Sequence, residues 1–192
     1  MRDNVIKIRK KLERRLSEDR FEHTLGVAYT SVALAMRYGC DLEQAEIAGL
    51  LHDCAKQYDE ETMEERCRRY NISITESEEL NPALLHAKLG AFMAMQKYHV
   101  EDKAVISAIL CHTTGKPEMS LLDKILYVAD YIEPKRDKAP NLKEVRKMAF
   151  VDLDQALLKI LEDTLNYLGD SPDEVDMMTK ATYDFYKNQI QP

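Results

Sequence analysis

The sequence predicts an all-α fold, and three observations lead to this prediction. Apolar residues recur at three- and four-residue spacing along most of the chain, which is typical of amphipathic helices. Alternating β-branched runs, which would indicate strands, are nearly absent. Only six glycines and six prolines interrupt the 192 residues, so few segments have the composition of loops. Because the chain has no internal repeat or low-complexity linker, one domain is expected.

The first two helices are marked by an apolar stripe and by the residues at their ends. The stripe consists of four residues at helical spacing: Val5, Ile8, Leu12 and Leu16. Ser17 is suited to cap a second helix, because its hydroxyl can accept a hydrogen bond from a free backbone N–H. This helix is expected to run to about Tyr38 and to stop at Gly39, since glycine tolerates the backbone conformation of a helix end.

Two further helices and an irregular segment follow in the N-terminal half. Asp41 is predicted to cap a third helix that ends near the stretch GLLHDCAK, residues 49–56. A fourth helix is predicted to begin at Thr62 and to close before Asn71. The segment 71–86 lacks helical periodicity, so we expect a loop with a short turn there.

The C-terminal half is predicted to be helical with one long polar loop. The approximate helix ranges are 85–98, 101–113, 119–132, 142–150, 152–168 and 173–189. The stretch EPKRDKAPN, from Glu133 to Asn141, is polar and carries two prolines, which is typical of a loop. Gly169 and Pro172 separate the last two helices.

Composition and charge exclude several classes of function. The formal net charge is −7, so general attraction to nucleic acid is not expected, although a local basic pocket or a metal can still bind an anion. The N-terminus is charged throughout and lacks the apolar segment of a secretory signal. No apolar run approaches the roughly 20 residues of a membrane span. The four cysteines form no CxxC pair, so a reduced, cytoplasmic location without membrane partners is predicted.

Four histidines interrupt or end segments that otherwise belong in a core: His23, His52, His86 and His112. His23 lies three residues after Arg20, so both side chains project from one helix face. His52 is followed directly by Asp53. Burying imidazole and carboxylate groups without partners is costly, so these groups either pair with one another or hold a metal ion.

Asp130 adds a further carboxylate after the apolar stretch ILYVA. Taken alone, it is explained as the partner of a salt bridge. Together with His23, His52 and Asp53 it completes a set of four ligands drawn from separate helices. Imidazole combined with carboxylate suits iron, manganese, zinc and similar divalent ions.

The order of these residues resembles the H…HD…D signature of the HD-domain metal-dependent phosphohydrolases. Five stretches between Arg20 and Arg136 make the resemblance more specific: RFEH, HDCAK, NPALLHAKLGA, HTTG and ADYIEPKR. Together they are similar to the bacterial HD-domain symmetrical bis(5'-nucleosyl)-tetraphosphatases, which split diadenosine tetraphosphate into two ADP. The resemblance implies a single HD-domain helical bundle over residues 1–192. Its metal-binding core is expected at about 18–135, between core helices, with C-terminal helices at 141–190 packing on it.

The resemblance also implies a divalent metal, with iron favoured and manganese, cobalt or zinc compatible with the donor types. The ligands that it implies are His23, His52, Asp53 and Asp130. A bound cation lowers the pKa of a coordinated water and stabilises negative charge on a phosphoryl oxygen. Asp53 is then expected to bridge metals or to orient the water that attacks phosphorus. A homodimer is expected from the family and from apolar helical surfaces.

Several residues near these ligands are candidates for binding the phosphate chain: Arg20, Lys56, Thr113, Thr114 and Arg136. Lys56 lies about one helical turn past Asp53 and is predicted to offset charge in the transition state, unless it simply faces solvent. The two guanidinium groups match phosphate geometry. The two threonines offer hydroxyls and backbone amides, or they only mark a helix stop.

His86 and His112 have two interpretations that the sequence leaves open. They can contact phosphate and protonate the departing ADP oxygen as general acids. They can instead hold a second metal, because H…HD…H…H…D is also the order of two-metal members of the superfamily. Three other functions fit parts of the pattern: another HD phosphohydrolase (nucleotidase, triphosphohydrolase or cyclic phosphodiesterase), a non-catalytic nucleotide-sensing module, and a structural helical protein whose histidines pair.

Overall fold

The computed structural model describes residues 2–169 and 176–190, and every regular element within these ranges is a helix. The predicted all-α fold is confirmed. The α-helices are α1 (Arg2–Glu13), α2 (Glu18–Tyr38), α3 (Leu42–Leu51), α4 (Glu60–Arg69), α5 (Glu76–Leu80), α6 (Leu85–Tyr98), α7 (Lys103–Cys111), α8 (Leu121–Ile132), α9 (Leu142–Met148), α10 (Leu153–Leu168) and α11 (Met177–Ile190). A 3₁₀ turn, Pro82–Leu84, leads into α6.

Polar side chains at the helix starts explain why the chain folds into these segments. The Ser17 and Asp41 side chains each accept from the backbone N–H three residues on, so they cap α2 and α3 as predicted. Gly39 ends α2 in the left-handed conformation, with φ of 74°, which an L-residue with a Cβ rarely adopts.

Two segments differ from the sequence-based expectation. Helix α4 begins at Glu60 because Asp59 caps it by accepting from the Thr62 backbone N–H, so Thr62 lies inside the first turn. The segment 71–86 contains α5, which starts at a capping box between Thr75 and Glu78. Five residues are too few to show helical periodicity, so the pattern missed it. The first residues of the predicted helix 173–189 lie outside the described ranges, and α11 begins at Met177.

The centre of the molecule is formed by α2, α3, α7 and α8, with α6 covering α3 and α7. Helices α2 and α3 approach closely at Gly49, where an added Cβ would lie 2.5 Å from the Cα of Ala28. Helix α10 packs on α8, and α11 packs on α10. One cluster of buried apolar side chains runs from Ile8 to Tyr186.

Helix α1 carries a basic surface and a short apolar stripe, and its packing explains the stripe. Ile8 and Leu12 are buried against the rest of the chain, as is Leu16 in the turn that follows. No described helix combines the length and apolar character that crossing a membrane requires.

Candidate metal centre

Helix α3 ends at two buried polar residues. His52 is the C-terminal cap of α3, and its backbone N–H donates to the Ala48 carbonyl at 2.9 Å. The exposed fraction is 0% for His52 and 1% for the adjacent Asp53. Such groups are costly to bury unless partners surround them. The partners come from α2, α6, α7 and α8.

Four histidine Nε2 atoms converge on the Asp53 carboxylate. The distances to Oδ2 are 3.8 Å from His23 and 3.5 Å from His52. The distances to Oδ1 are 3.4 Å from His86 and 3.6 Å from His112. The four histidines that the sequence analysis selected therefore lie around one carboxylate.

Asp130 brings a second carboxylate to the same cluster from the last turn of α8. Its Oδ1 lies 3.2 Å from His23 Nε2 and 3.9 Å from His52 Nε2. The three ligand atoms lie within 4.8 Å of one another, close enough to share one ion. The same holds for ligand atoms of His52, Asp53 and His112, so His52 belongs to both groups of candidate ligands.

The Nδ1 atoms fix how each ring presents its Nε2 atom. Three of them lie at hydrogen-bond distance from the carbonyl oxygen three residues earlier: His52 to Gly49, His86 to Ala83, and His112 to Ile109. A carbonyl oxygen only accepts, so these Nδ1 atoms carry the proton. In the neutral form of such a ring, the Nε2 atom directs a lone pair into the cluster, as a metal ligand does.

The cluster fits a divalent cation for a reason visible in its own contacts. His23 Nε2 lies 3.3 Å from His52 Nε2, and His86 Nε2 lies 3.1 Å from His112 Nε2. Two lone pairs at this separation repel unless a proton or a cation lies between them. Asp53 Oδ1 is buried and accepts no hydrogen bond from the described residues, although the ammonium of Lys56 lies 3.1 Å away. Imidazole nitrogens and carboxylate oxygens are the donors that first-row divalent metals accept.

The electrostatics of the cluster keep its carboxylates charged. Burial alone would raise the pKa of Asp53, but His52, His112 and Lys56 hold that pKa well below its usual value. Burial alone would also raise the pKa of Asp130, and His23, His52 and Arg136 outweigh it, so this pKa is lowered too. The carboxylates of Asp53 and Asp130 are therefore ionised and can bind a cation.

His86 does not carry the extra proton that a general acid donates. Burial, followed by the positive charge of Lys56, lowers the pKa of His86 to about 3. The ring is therefore neutral near pH 7, and its single proton lies on Nδ1 toward Ala83. An Nε2 atom without a proton can bind a metal or accept a hydrogen bond.

Three of the predicted phosphate-binding cations lie at the edge of the cluster. Arg20 Nη1 is 2.8 Å from Asp53 Oδ2, and Lys56 Nζ is 3.1 Å from Asp53 Oδ1. Arg136 Nη2 is 2.9 Å from Asp130 Oδ1, and its Nε donates to the Asp130 carbonyl oxygen. All three side chains are about one third exposed, so they can also reach a bound anion.

The two predicted threonines lie in different places. Thr113 Oγ1 is 3.1 Å from His86 Nε2 and 3.3 Å from His112 Nε2, inside the cluster. Thr114 donates to the Gly115 carbonyl and borders another cavity, one of about 290 Å³. Its own carbonyl accepts from Thr182 of α11, so its contacts are those of a helix end.

Open cavities adjoin the cluster at both sets of cations. A cavity of about 760 Å³ is lined by Arg20, Lys56 and Tyr58. Another, of about 470 Å³, is lined by Tyr131, Arg136, Lys138 and Tyr167. A smaller one of about 110 Å³ is bounded by His112, Thr113, Asp130, Tyr131 and Arg136, and so shares Tyr131 and Arg136 with the second cavity.

Sequence reasoning missed Glu133, which is 2% exposed and belongs to this site. Its Oε1 lies 3.2 Å from His23 Nδ1. The stretch EPKR was interpreted as loop because it follows a helix and contains proline. No signal in the neighbouring sequence indicates that the Glu133 side chain contacts α2, so only the tertiary structure reveals its contact with His23.

Comparisons with known proteins agree with this geometry. The family model described as HD domain matches residues 20–135. A relative from Bacillus subtilis, named bis(5'-nucleosyl)-tetraphosphatase, symmetrical, is 40% identical over 174 residues, which cover 91% of this chain and 92% of that protein. A relative of the same name from Halalkalibacterium halodurans is also 40% identical, over 88% of this chain and 89% of that protein.

The fold is similar to that of a solved structure from Clostridium acetobutylicum. That structure is described as a predicted HD superfamily hydrolase involved in NAD metabolism. The TM-score is 0.90 with 39% sequence identity, and the match covers 95% of this chain and 96% of that one. The similarity therefore extends past the metal cluster to the C-terminal helices.

Proposed function

Since this chain belongs to the HD-domain family, and within it to the symmetrical bis(5'-nucleosyl)-tetraphosphatases, we propose that it hydrolyses dinucleoside tetraphosphates to two nucleoside diphosphates. It is a metal-dependent hydrolase. One observation carries the substrate proposal: the buried Asp53 carboxylate is surrounded by four histidines and pairs with Arg20 and Lys56, which line one cavity. Within the same cluster, Arg136 pairs with Asp130 and lines a second cavity. The metal ligands proposed are His23, His52, Asp53 and Asp130.

The proposed hydrolysis depends on a bound cation and on the side chains around it. A divalent cation supplies a water of lowered pKa and stabilises negative charge on a phosphoryl oxygen. Asp53 orients the attacking water, since its ionised carboxylate is fixed between Arg20 and Lys56. The water oxygen bonds to one of the two central phosphorus atoms while the central P–O–P linkage breaks. The departing nucleoside diphosphate gains negative charge, which the cations on its own side of the scissile bond offset: Arg20 and Lys56 on one side, Arg136 on the other.

The two larger cavities support cleavage at the centre of the substrate. A symmetrical dinucleotide has two equal ends, and each needs room on its own side of the scissile bond. One end is proposed to lie beside Arg20 and Lys56, in the cavity that also contains Tyr58. The other is proposed to lie beside Arg136, where Tyr131 offers an aromatic face for a base. Thr113 points a hydroxyl between them, whereas the local contacts of Thr114 give it no such position.

The products test this proposal directly. Incubated with diadenosine tetraphosphate and Mn²⁺ or Fe²⁺, the protein is expected to release ADP alone, because water attacks a central phosphorus. Ion-exchange chromatography separates ADP, AMP and ATP. Release of AMP plus ATP would contradict the symmetrical register and leave the metal site in place. Absence of turnover with these metals and with Co²⁺ would favour another phosphate ester or a sensing module.

His86 and His112 are proposed as the residues that would hold a second cation, and Asp53 would offer one oxygen toward each pair of histidines. The alternative role as general acid requires a proton on Nε2, and the neutral His86 ring carries its proton on Nδ1. Both Nε2 atoms face Asp53 Oδ1, while His23 and His52 face Oδ2. A carboxylate that offers one oxygen to each group is the arrangement of a bridged two-metal site.

Replacement of His112 by alanine is expected to reduce bound metal from two ions per chain to one and to lower kcat by about 100-fold, the range of a lost metal ligand or catalytic group. Inductively coupled plasma mass spectrometry after dialysis gives the metal content. His99→Asn is the control, because His99 is exposed, lies outside the cluster and adopts a left-handed conformation that asparagine tolerates. One ion in both the wild type and His112→Ala would instead support the general-acid role.

Three further features of the proposal are more specific than membership of the family: the native metal, the location in the cell and the oligomeric state. We propose iron as the native metal, with manganese, cobalt or zinc as substitutes that the donor set also accepts. A cytoplasmic location is proposed because all four cysteines are free thiols in the structure. The predicted homodimer is retained as a proposal and is checked by light scattering of the purified protein.

A further inference from the structure

We infer that Glu133 is a positioning residue for the metal site: its carboxylate fixes the ring of His23, and the absence of a side chain at Gly26 makes room for it. This inference rests on the metal site proposed above. His23 is the one histidine of the four whose Nδ1 faces a side chain instead of a backbone carbonyl. Its ring orientation therefore depends on a residue from another part of the chain.

The environment of the carboxylate holds it in one place. Glu133 Oε1 lies 3.2 Å from His23 Nδ1, and Oε2 accepts from the Lys135 backbone N–H at 2.8 Å. The Glu133 carbonyl oxygen accepts from Arg146 Nη2 at 2.7 Å and from the Arg136 backbone N–H at 3.1 Å. Both side-chain oxygens and the main chain are thus engaged, in a residue that is almost completely buried.

Contact with a carboxylate determines which nitrogen of His23 can bind metal. A carboxylate oxygen only accepts, so the proton of the neutral ring lies on Nδ1 and the lone pair on Nε2 faces Asp53 and Asp130. Partners of this kind orient a ligand and increase its basicity, and their loss costs about 10- to 100-fold in metal affinity.

Gly26 explains how the carboxylate reaches the ring. It lies one helical turn past His23 on α2, on the same face. A Cβ added there would lie 2.5 Å from Glu133 Oε2 and 3.3 Å from its Cδ, but 3.6 Å from its Cβ. An alanine at position 26 therefore displaces the carboxylate from the ring and is compatible with residue 133 once that residue ends at Cβ.

This geometry gives a double-mutant test whose readout is metal affinity. Chelator-stripped protein is titrated with Mn²⁺ and followed by electron paramagnetic resonance. Glu133→Ala and Gly26→Ala are each expected to weaken Mn²⁺ binding by about 10- to 100-fold. The double variant is expected to bind as Glu133→Ala does, because the second change has no carboxylate left to displace. Thermal unfolding of the metal-free proteins serves as the control for folding.

Each alternative outcome overturns the inference. Wild-type affinity in Glu133→Ala would show that the residue only supports the turn at Lys135. Losses that multiply in the double variant would show that Gly26 acts independently, and a wild-type protein that binds no Mn²⁺ would remove the metal role itself. Because the titration contains no nucleotide, a protein that binds Mn²⁺ as expected but does not cleave diadenosine tetraphosphate would contradict the proposed function alone.

Discussion

Replacing Asp53 by asparagine is expected to lower kcat by about 1,000-fold or more and to abolish stable metal binding, since losing several kcal/mol of charge stabilisation has an effect of this size. The carboxylate lies within 3.8 Å of the Nε2 atoms of all four histidines and of the two cations Arg20 and Lys56. An amide keeps its shape but offers one neutral oxygen. Steady-state kinetics and metal analysis after dialysis measure the two losses.

Asp123 provides a matched control for Asp53. It is 0% exposed and lies 3.0 Å from Lys116 Nζ, so Asp123→Asn also removes a buried carboxylate from a cation. Both variants are expected to melt at a lower temperature, because each replaces a buried, ionised carboxylate that pairs with a cation by a neutral amide. Only Asp53→Asn is expected to lose metal and turnover. Equal metal content in the two variants would contradict the assignment of Asp53 as a ligand.

Replacing His52 by alanine is expected to abolish turnover and to remove the ion shared with His23 and Asp130, while helical content stays close to that of the wild type. His52 is fully buried, and a methyl group leaves the cluster without a nitrogen donor at the end of α3. The helix itself is held by buried apolar residues that the change does not touch: Ala45, Ala48, Leu50 and Leu51. Far-ultraviolet circular dichroism and metal analysis give the two readouts.

Cys54→Ala is the control for His52→Ala. Cys54 is equally buried two residues further on, and its thiol donates to the Gly90 carbonyl on α6. Burial raises the pKa of this thiol to about 12, so it stays protonated and is not expected to bind metal. Retained turnover in His52→Ala, or loss of metal in Cys54→Ala, would show that the ligands have been assigned to the wrong residues.

Local sequence signals were sufficient for most helix boundaries. Ser17, Gly39 and Asp41 act over three or four residues of backbone, so their effect can be read without knowing the rest of the fold. Because these signals are read one segment at a time, they also explain the errors in the predicted helix boundaries. Asp59 and Thr62 both have the chemistry of a cap, and the choice between them depends on geometry that composition does not contain.

The candidate ligand set can be proposed from the sequence because charge inside an apolar segment is unusual wherever it occurs. His52 and Asp53 follow a stretch that must be buried, so they needed a partner, and the order of His23, His52–Asp53 and Asp130 resembled one family. The same reasoning placed Arg20, Lys56 and Arg136 near the phosphate chain. Their contacts with Asp53 and Asp130 agree with that placement, and substrate binding itself remains a proposal.

The sequence by itself determined the helical class, the candidate ligands and the family, because these depend on residue type, on spacing within segments and on the order of the segments along the chain. The tertiary structure alone decided which oxygen of Asp53 faces which histidines, that Thr113 enters the cluster while Thr114 borders another cavity, and that Glu133 reaches His23 across the space left by Gly26. These are contacts between segments up to 110 residues apart, and they are set by how the helices pack.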